Sequence, residues 1–122
     1  MRRIAMAFGL TVVLIAFPIN EALAKTYATI AVVWGQGRDF HGVGTGSTRG
    51  AARKAALAAC QNRRCKIATN YGPGQCIFVV LGNRQVWWND RLFSAREQKY
   101  VIAQCRKEDS NCHVIYSKCL PE

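Results

Sequence analysis

The sequence predicts an α+β domain of duplicated β-β-α-β units, an antiparallel sheet covered by two helices and held by three disulfides. Three observations predict it. Two stretches carry the same signals in the same order, at about residues 27–71 and 75–119. Six cysteines, all beyond residue 24, fall at matching points of the two stretches. An even cysteine count in a small chain headed for an oxidising compartment reads as a disulfide framework.

The first stretch runs TIAVVWGQGRDFHGVGTG, STRGAARKAALAAC and QNRRCKIATNY; the second runs QCIFVVLGNRQVWWND, RLFSAREQKYVIAQC and RKEDSNCHVIYSKC. Each opens on an apolar β-like run, turns at glycine, returns, and passes through a helix that ends at Cys. A second Cys then opens a last strand. The valine pairs before Gly35 and Gly82 correspond, as do Cys60 with Cys105 and Cys65 with Cys112. This order is the mark of an internal duplication.

Ile30 to Val33 and Ile77 to Leu81 are apolar, largely β-branched runs that stop at Gly35-Gln36-Gly37 and Gly82-Asn83, which are hairpin signals. Ser47 or Thr48 can cap the first helix. Ser94 can cap the second, with Glu97 three residues on completing a capping box. Ala51, Ala52, Ala55, Ala58 and Ala59 give the first helix a small-sided face. Ala95, Val101, Ile102 and Cys105 form the expected buried side of the second. Gly72-Pro73-Gly74 reads as a turn between the units.

Six cysteines allow 15 pairings. The repeat favours Cys60–Cys65 and Cys105–Cys112, each joining a helix end to the next strand, with Cys76–Cys119 joining the start of the second unit to the last strand. Oxidised cysteines leave no thiolate set for iron–sulfur or zinc, and no C-x-x-C pair is present. No cofactor and no metal site is expected.

The chain opens with Arg2 and Arg3, continues through an apolar run from Ile4 to Ile19, and reaches Ala22-Leu23-Ala24. That is the layout of a secretory signal peptide over residues 1–24. The apolar run is short for a membrane span, which takes about 20 residues, and Pro18 interrupts it. Cleavage after Ala24 leaves residues 25–122 as one disulfide-stapled domain, periplasmic or extracellular, without stable membrane insertion. Of 17 basic and 7 acidic residues, the cleaved chain keeps 15 and 6, a net charge of +9. Such a surface draws anionic partners at long range.

The segments YATIAVV before Trp34-Gly35, STRGAARKAALAACQNRRCKI and FSAREQKYVIAQCRKEDSNCHVIYSKC together resemble the small exported bacterial family called domain of unknown function 4189. The likeness runs from Tyr27 to Cys119. It implies the fold and carries no activity with it.

Four groups of residues are candidates for function. DFHGVGTGSTRG resembles a phosphate loop, but its glycines lie on a return strand rather than between a parallel strand and a helix, and no G-x-x-x-x-G-K-[ST] pattern exists. Gly42, Gly44 and Gly46 are better explained as letting the first helix approach the sheet. An anion site at the helix start, from Ser47, Thr48, Arg49 and backbone amides, is the functional alternative.

His41 and His113, with Lys66 or Arg64 as the cation, form the second group. In a small basic exported protein such a set suggests ribonuclease chemistry, one imidazole as base and the other as acid. They sit at non-corresponding places in the repeat. A Ser47-His41-Asp39 set is the third group, and it lacks a nucleophile elbow.

The fourth group is VWWNDRLF. On a strand, Trp87 and Trp88 point to opposite faces, and Trp88 with Arg91, or Trp87 with Arg84, are anchors of the kind that dominate interfaces. The expected function is therefore a non-enzymatic exported binding or inhibitory protein. Its expected partner is an unidentified protein or an anionic envelope component. Nucleic acid would bind only nonspecifically.

Overall fold

The computed structural model describes residues 25–89 and 94–122. The expected signal peptide and Arg91 lie outside the described residues. Eight elements follow in the order β1 (Tyr27–Val32), β2 (His41–Gly46), α1 (Arg49–Cys60), β3 (Lys66–Tyr71), β4 (Cys76–Leu81), β5 (Val86–Trp88), α2 (Ala95–Glu108) and β6 (His113–Cys119). The class is α+β, and the β-β-α-β order occurs twice. The strands form two antiparallel three-stranded sheets, ordered β2-β1-β3 and β5-β4-β6, one per unit.

These sheets face each other. Ala28, Ile30 and Val32 on one face of β1 share a buried cluster with Ile77, Val79 and Leu81 on one face of β4. The opposite faces meet the helices. Ala31 packs with Ala56 and Cys60 of α1, while Phe78 and Val80 pack with Val101 and Cys105 of α2. The molecule is thus layered α1, first sheet, second sheet, α2. Each central strand is buried on both sides, which is why residues 30–33 and 77–81 read as unbroken apolar runs rather than alternating ones. The single sheet expected from the sequence is two, because such a run shows that both faces are covered and not by what. Ile30, Val32, Ile77 and Val79 are each fully buried, and each contributes about 1.5–3 kcal/mol.

The duplication extends to an irregularity. The β1–β3 ladder shifts register between Ile30 and Ala31, and the β4–β6 ladder shifts between Val79 and Val80. Ile30 therefore corresponds to Val79, and Val32 to Leu81. The valine pairs that seem equivalent in sequence are displaced by two residues.

Thr48 caps α1, its Oγ1 accepting from the Ala51 amide at 3.1 Å; Ser94 caps α2 through the Glu97 amide at 3.1 Å. The face of α1 that is buried is Ala52, Ala56 and Cys60. Of the expected alanines, Ala51, Ala58 and Ala59 are exposed, because the i, i+4 row through Ala56 is the one turned to the sheet. Ala95 is exposed as well, since it opens α2 ahead of the buried Val101 and Cys105.

The three disulfides are Cys60–Cys65, Cys76–Cys119 and Cys105–Cys112. Cys76 and Cys119 are direct cross-strand partners in the β4–β6 ladder. Asn89 is 3 % exposed and joins the units. Its Oδ1 accepts from the Phe78 amide at 2.8 Å, and its backbone oxygen accepts from the Tyr71 hydroxyl at 2.8 Å. Among the described residues, every core residue lies between Ala28 and Leu120, as do all six half-cystines. The segment from Lys25 to Glu122 thus holds a core of its own and meets the requirement for folding alone.

Candidate functional site

The hairpin tips of the two units interlock, and this builds the site. Val33 to Gln36 form a tight turn, with the Gln36 amide donating to Val33 O at 2.9 Å and Gly35 at φ 82°. That positive φ suits the third residue of a type II turn and leaves Trp34 projecting outward. The Gly37 amide donates to Arg84 O at 2.6 Å, and Arg38 Nη1 donates to Asn83 Oδ1 at 2.8 Å. A side chain at Gly37 would come within 3.0 Å of the Gln85 backbone, so glycine permits this approach.

Trp34, 55 % exposed, is thereby set beside Trp88, with ring centroids 6.1 Å apart and planes tilted by 55°. The two rings form one wall of an open cleft of about 540 Å³, completed by Arg84, Gln85, Val86, Trp87 and Glu108. As strand geometry requires, Trp88 leans toward the core between the sheets and Trp87 toward α2. Arg84 is held in place by its Nη2, which donates to Glu108 O at 2.7 Å. Among the described residues, the buried Trp87 Nε1 donor and Gln85 Oε1 acceptor have no hydrogen-bond partner.

Asp109 braces the cleft from behind. Its carboxylate accepts from the amides of Asn83 (3.1 Å), Arg84 (3.0 Å), Gln85 (2.9 Å) and Ser110 (2.9 Å). Burial pushes its pKa up, but the four amide hydrogen bonds outweigh that, and the carboxyl lies below its ordinary value of 3.8. The β4–β5 turn is therefore a small anion nest filled by the chain's own aspartate.

The other candidate groups are placed as follows. His41 opens β2 at the edge of the first sheet, its Nδ1 donating to Gly37 O at 2.6 Å. His113 opens β6 at the edge of the second, its Nδ1 donating to Asn111 O at 3.0 Å. Each imidazole is tied to its own turn, and the two belong to different sheets. Lys66 opens β3 and is exposed, as are Arg63 and Arg64 in the loop before it. Ser47 is exposed beside Thr48, whose hydroxyl is engaged in the cap. Arg49 lies over the Tyr27 ring at 5.9 Å.

Gly42, Gly44 and Gly46 lie under α1. A Cβ on Gly42 would come within 2.6 Å of Cys60 N, and one on Gly44 within 2.6 Å of Ala52 O. Their role in helix approach is therefore structural. Among the described residues, no group of three His, Cys, Asp or Glu is placed to hold a metal, and no helix is long and apolar enough to cross a membrane.

Sequence reasoning placed Trp87, Trp88 and Arg84 in the site but missed Trp34, Gln85 and Glu108. The signal for Trp34 was present: a tryptophan at a glycine turn has little room to be buried. Asp109, within RKED, passes for a solvated loop residue, because nothing local shows that the helix end meets the hairpin of its own unit.

A disulfide-stapled sandwich of duplicated β-β-α-β units, with one aromatic cleft at its interlocked hairpins, is the class of protein these observations define. The chain belongs to the family described as Domain of unknown function (DUF4189), whose model matches residues 23–119. No curated protein and no solved structure matched the chain.

Proposed function

We propose that this is an exported binding or inhibitory protein that grips an envelope or extracellular partner through the Trp34–Trp88 cleft. The observation that carries the reading is Trp34: a large aromatic side chain left more than half exposed, fixed against Trp88 and adjoined by a positioned arginine. Exposed aromatics beside an ordered guanidinium are what interface anchors look like before a partner covers them. The cleft rests on three disulfides and on two hairpins bonded to each other, so little ordering is left to be paid on binding. Export is supported by the basic, apolar and small-residue order of the first 24 residues together with the disulfides.

The test is capture from envelope and exported fractions by the Lys25–Glu122 protein, compared with Trp34→Ala, Arg84→Ala and the distant Lys118→Ala. Saturable capture that falls by about 30-fold in the first variant and holds in the last, the size expected of an interface anchor, supports the cleft. Equal capture by all four proteins sinks it.

A further inference from the structure

The net charge is not shared between the units. Lys25 to Gln75 carries eight basic residues and one acidic residue, Asp39, whereas Cys76 to Glu122 carries seven and five. Of the net +9, +7 belongs to the unit that bears α1. From Arg49 to Lys66 there are six cations and no acidic residue. Arg53, Lys54, Arg63, Arg64 and Lys66 are all exposed, and among the described residues none of them pairs with a carboxylate.

Because α1 is an outer layer, Arg53 and Lys54 lie on its side of the molecule; Arg63 and Arg64 follow in the loop just past its C-terminal end, and Lys66 opens β3. The shape of that side is unusual too. Gly50, Ala51, Ala58 and Ala59 are exposed, so the backbone of α1 is barely covered and the face is broad and low. Leu57 stands within it at 41 % exposure. It is one turn from Arg53 (i+4) and from Lys54 (i+3), spacings that put the three on a common patch of helix surface.

We infer that the outer face of α1 seats the protein on an anionic phospholipid surface. A headgroup layer offers many phosphates in a plane, which suits several long flexible cations on a low face. It also offers what a nucleic acid backbone does not, an apolar layer just beneath the charges, into which Leu57 can reach while Arg53 and Lys54 stay at headgroup level. The protein lies on the bilayer and does not cross it. This inference is independent of the aromatic cleft.

The test is co-sedimentation of the Lys25–Glu122 protein with vesicles of phosphatidylglycerol and phosphatidylcholine in equal parts, against vesicles of phosphatidylcholine alone. Binding to the mixed vesicles is expected, weakening as salt shortens the screening length. Arg53→Glu with Lys54→Glu should lower the partition coefficient by about tenfold or more, since each cation near such a surface counts for roughly a factor of five. Leu57→Ala should lower it by a few-fold at every salt concentration. Lys99→Glu with Lys107→Glu, on the exposed side of α2, should lower it less than the α1 pair, and Trp34→Ala should leave it unchanged. Each variant is first checked for the absence of free thiols. No preference for the anionic vesicles, or an equal loss from the α1 and α2 reversals, overturns the assignment. So does tighter binding to duplex DNA or RNA with Leu57→Ala silent, which would make this a nucleic-acid face.

Discussion

Trp87 occupies in the second sheet the position that Gly42 occupies in the first. Gly42 pairs with Ala31 and Trp87 pairs with Val80, and Ala31 and Val80 each sit just past the register shift of their central strand. Both positions face a helix. With glycine there, α1 rests directly on the β2 backbone. With tryptophan there, the indole fills the space beneath α2 together with Phe78, Val80 and Val101. One topology thus accommodates a close helix and a distant one, with Gly44 and Gly46 joining Gly42 in admitting α1.

Gly44→Ala is expected to destabilise strongly, by about 3 kcal/mol or more, because the added Cβ would meet the backbone of α1 at Ala52 and Ala55 rather than a flexible side chain. Gly50→Ala serves as the contrast. Nothing lies within 4 Å of a Cβ there, and alanine favours the helix by about 1 kcal/mol. Urea unfolding of both proteins should show shifts of opposite sign; a tolerated Gly44→Ala would mean that α1 is not seated as described.

The fold was legible wherever the signal is local. Hairpins at Gly35 and Gly82, caps at Thr48 and Ser94, and the pairing of half-cystines across matched helix ends all follow from nearby residues. What covers the two faces of β1 is not local. Val32 meets the other sheet and Ala31 meets α1, and nothing in IAVV separates these fates. In the site, Trp87 and Trp88 stood out as neighbours, whereas Trp34 reaches them only through the contact between hairpins made by Gly37 and Arg38.

Removal of Cys76–Cys119 should cost about 4 kcal/mol, against about 2 for either short bridge, because the closed loops span 43 residues against 5 and 7 and loop-closure entropy rises with loop length. Paired Cys→Ser variants compared by thermal unfolding check the order. Equal losses would show that native packing, not the unfolded chain, governs the effect.

Trp34→Ala and Trp88→Ala should separate binding from stability. Trp34 is more than half exposed, so its loss should alter unfolding by less than about 1 kcal/mol, as for other surface substitutions, while weakening capture of the partner. Trp88 also packs against the core between the sheets, so its truncation should cost both binding and about 2–3 kcal/mol of stability, less than the full value for a wholly buried tryptophan. If Trp34→Ala unfolds as readily as Trp88→Ala, the exposed ring is a structural prop rather than an anchor.

Asp109 should give the protein a recognisable response to acid. Its carboxyl is buried enough to be opposed by desolvation, yet four amides hold it below 3.8 in the folded state. A depressed folded pKa means that the unfolded chain binds its proton first as pH falls. The stabilisation is therefore fully present above about pH 4–5, shrinks through the unfolded value, and is gone once pH passes below the folded one. Asp109→Asn keeps the shape but turns one oxygen into a donor facing the amides of Asn83, Arg84 and Gln85, and should cost about 1–3 kcal/mol near neutrality. Other carboxyls titrate in the same range, so the useful quantity is the difference in unfolding free energy between the two proteins, measured from pH 7 to pH 2. That difference should be flat above about pH 5 and narrow as pH falls. Gly82→Ala reaches the same nest from the other side, since its Cβ would come within 2.6 Å of Asp109 Cγ and displace the carboxylate. It should therefore lose the acid-sensitive part of stability while keeping the aspartate itself. A Gly82→Ala protein that retains the full acid response would show that the depression comes from somewhere other than these four amides.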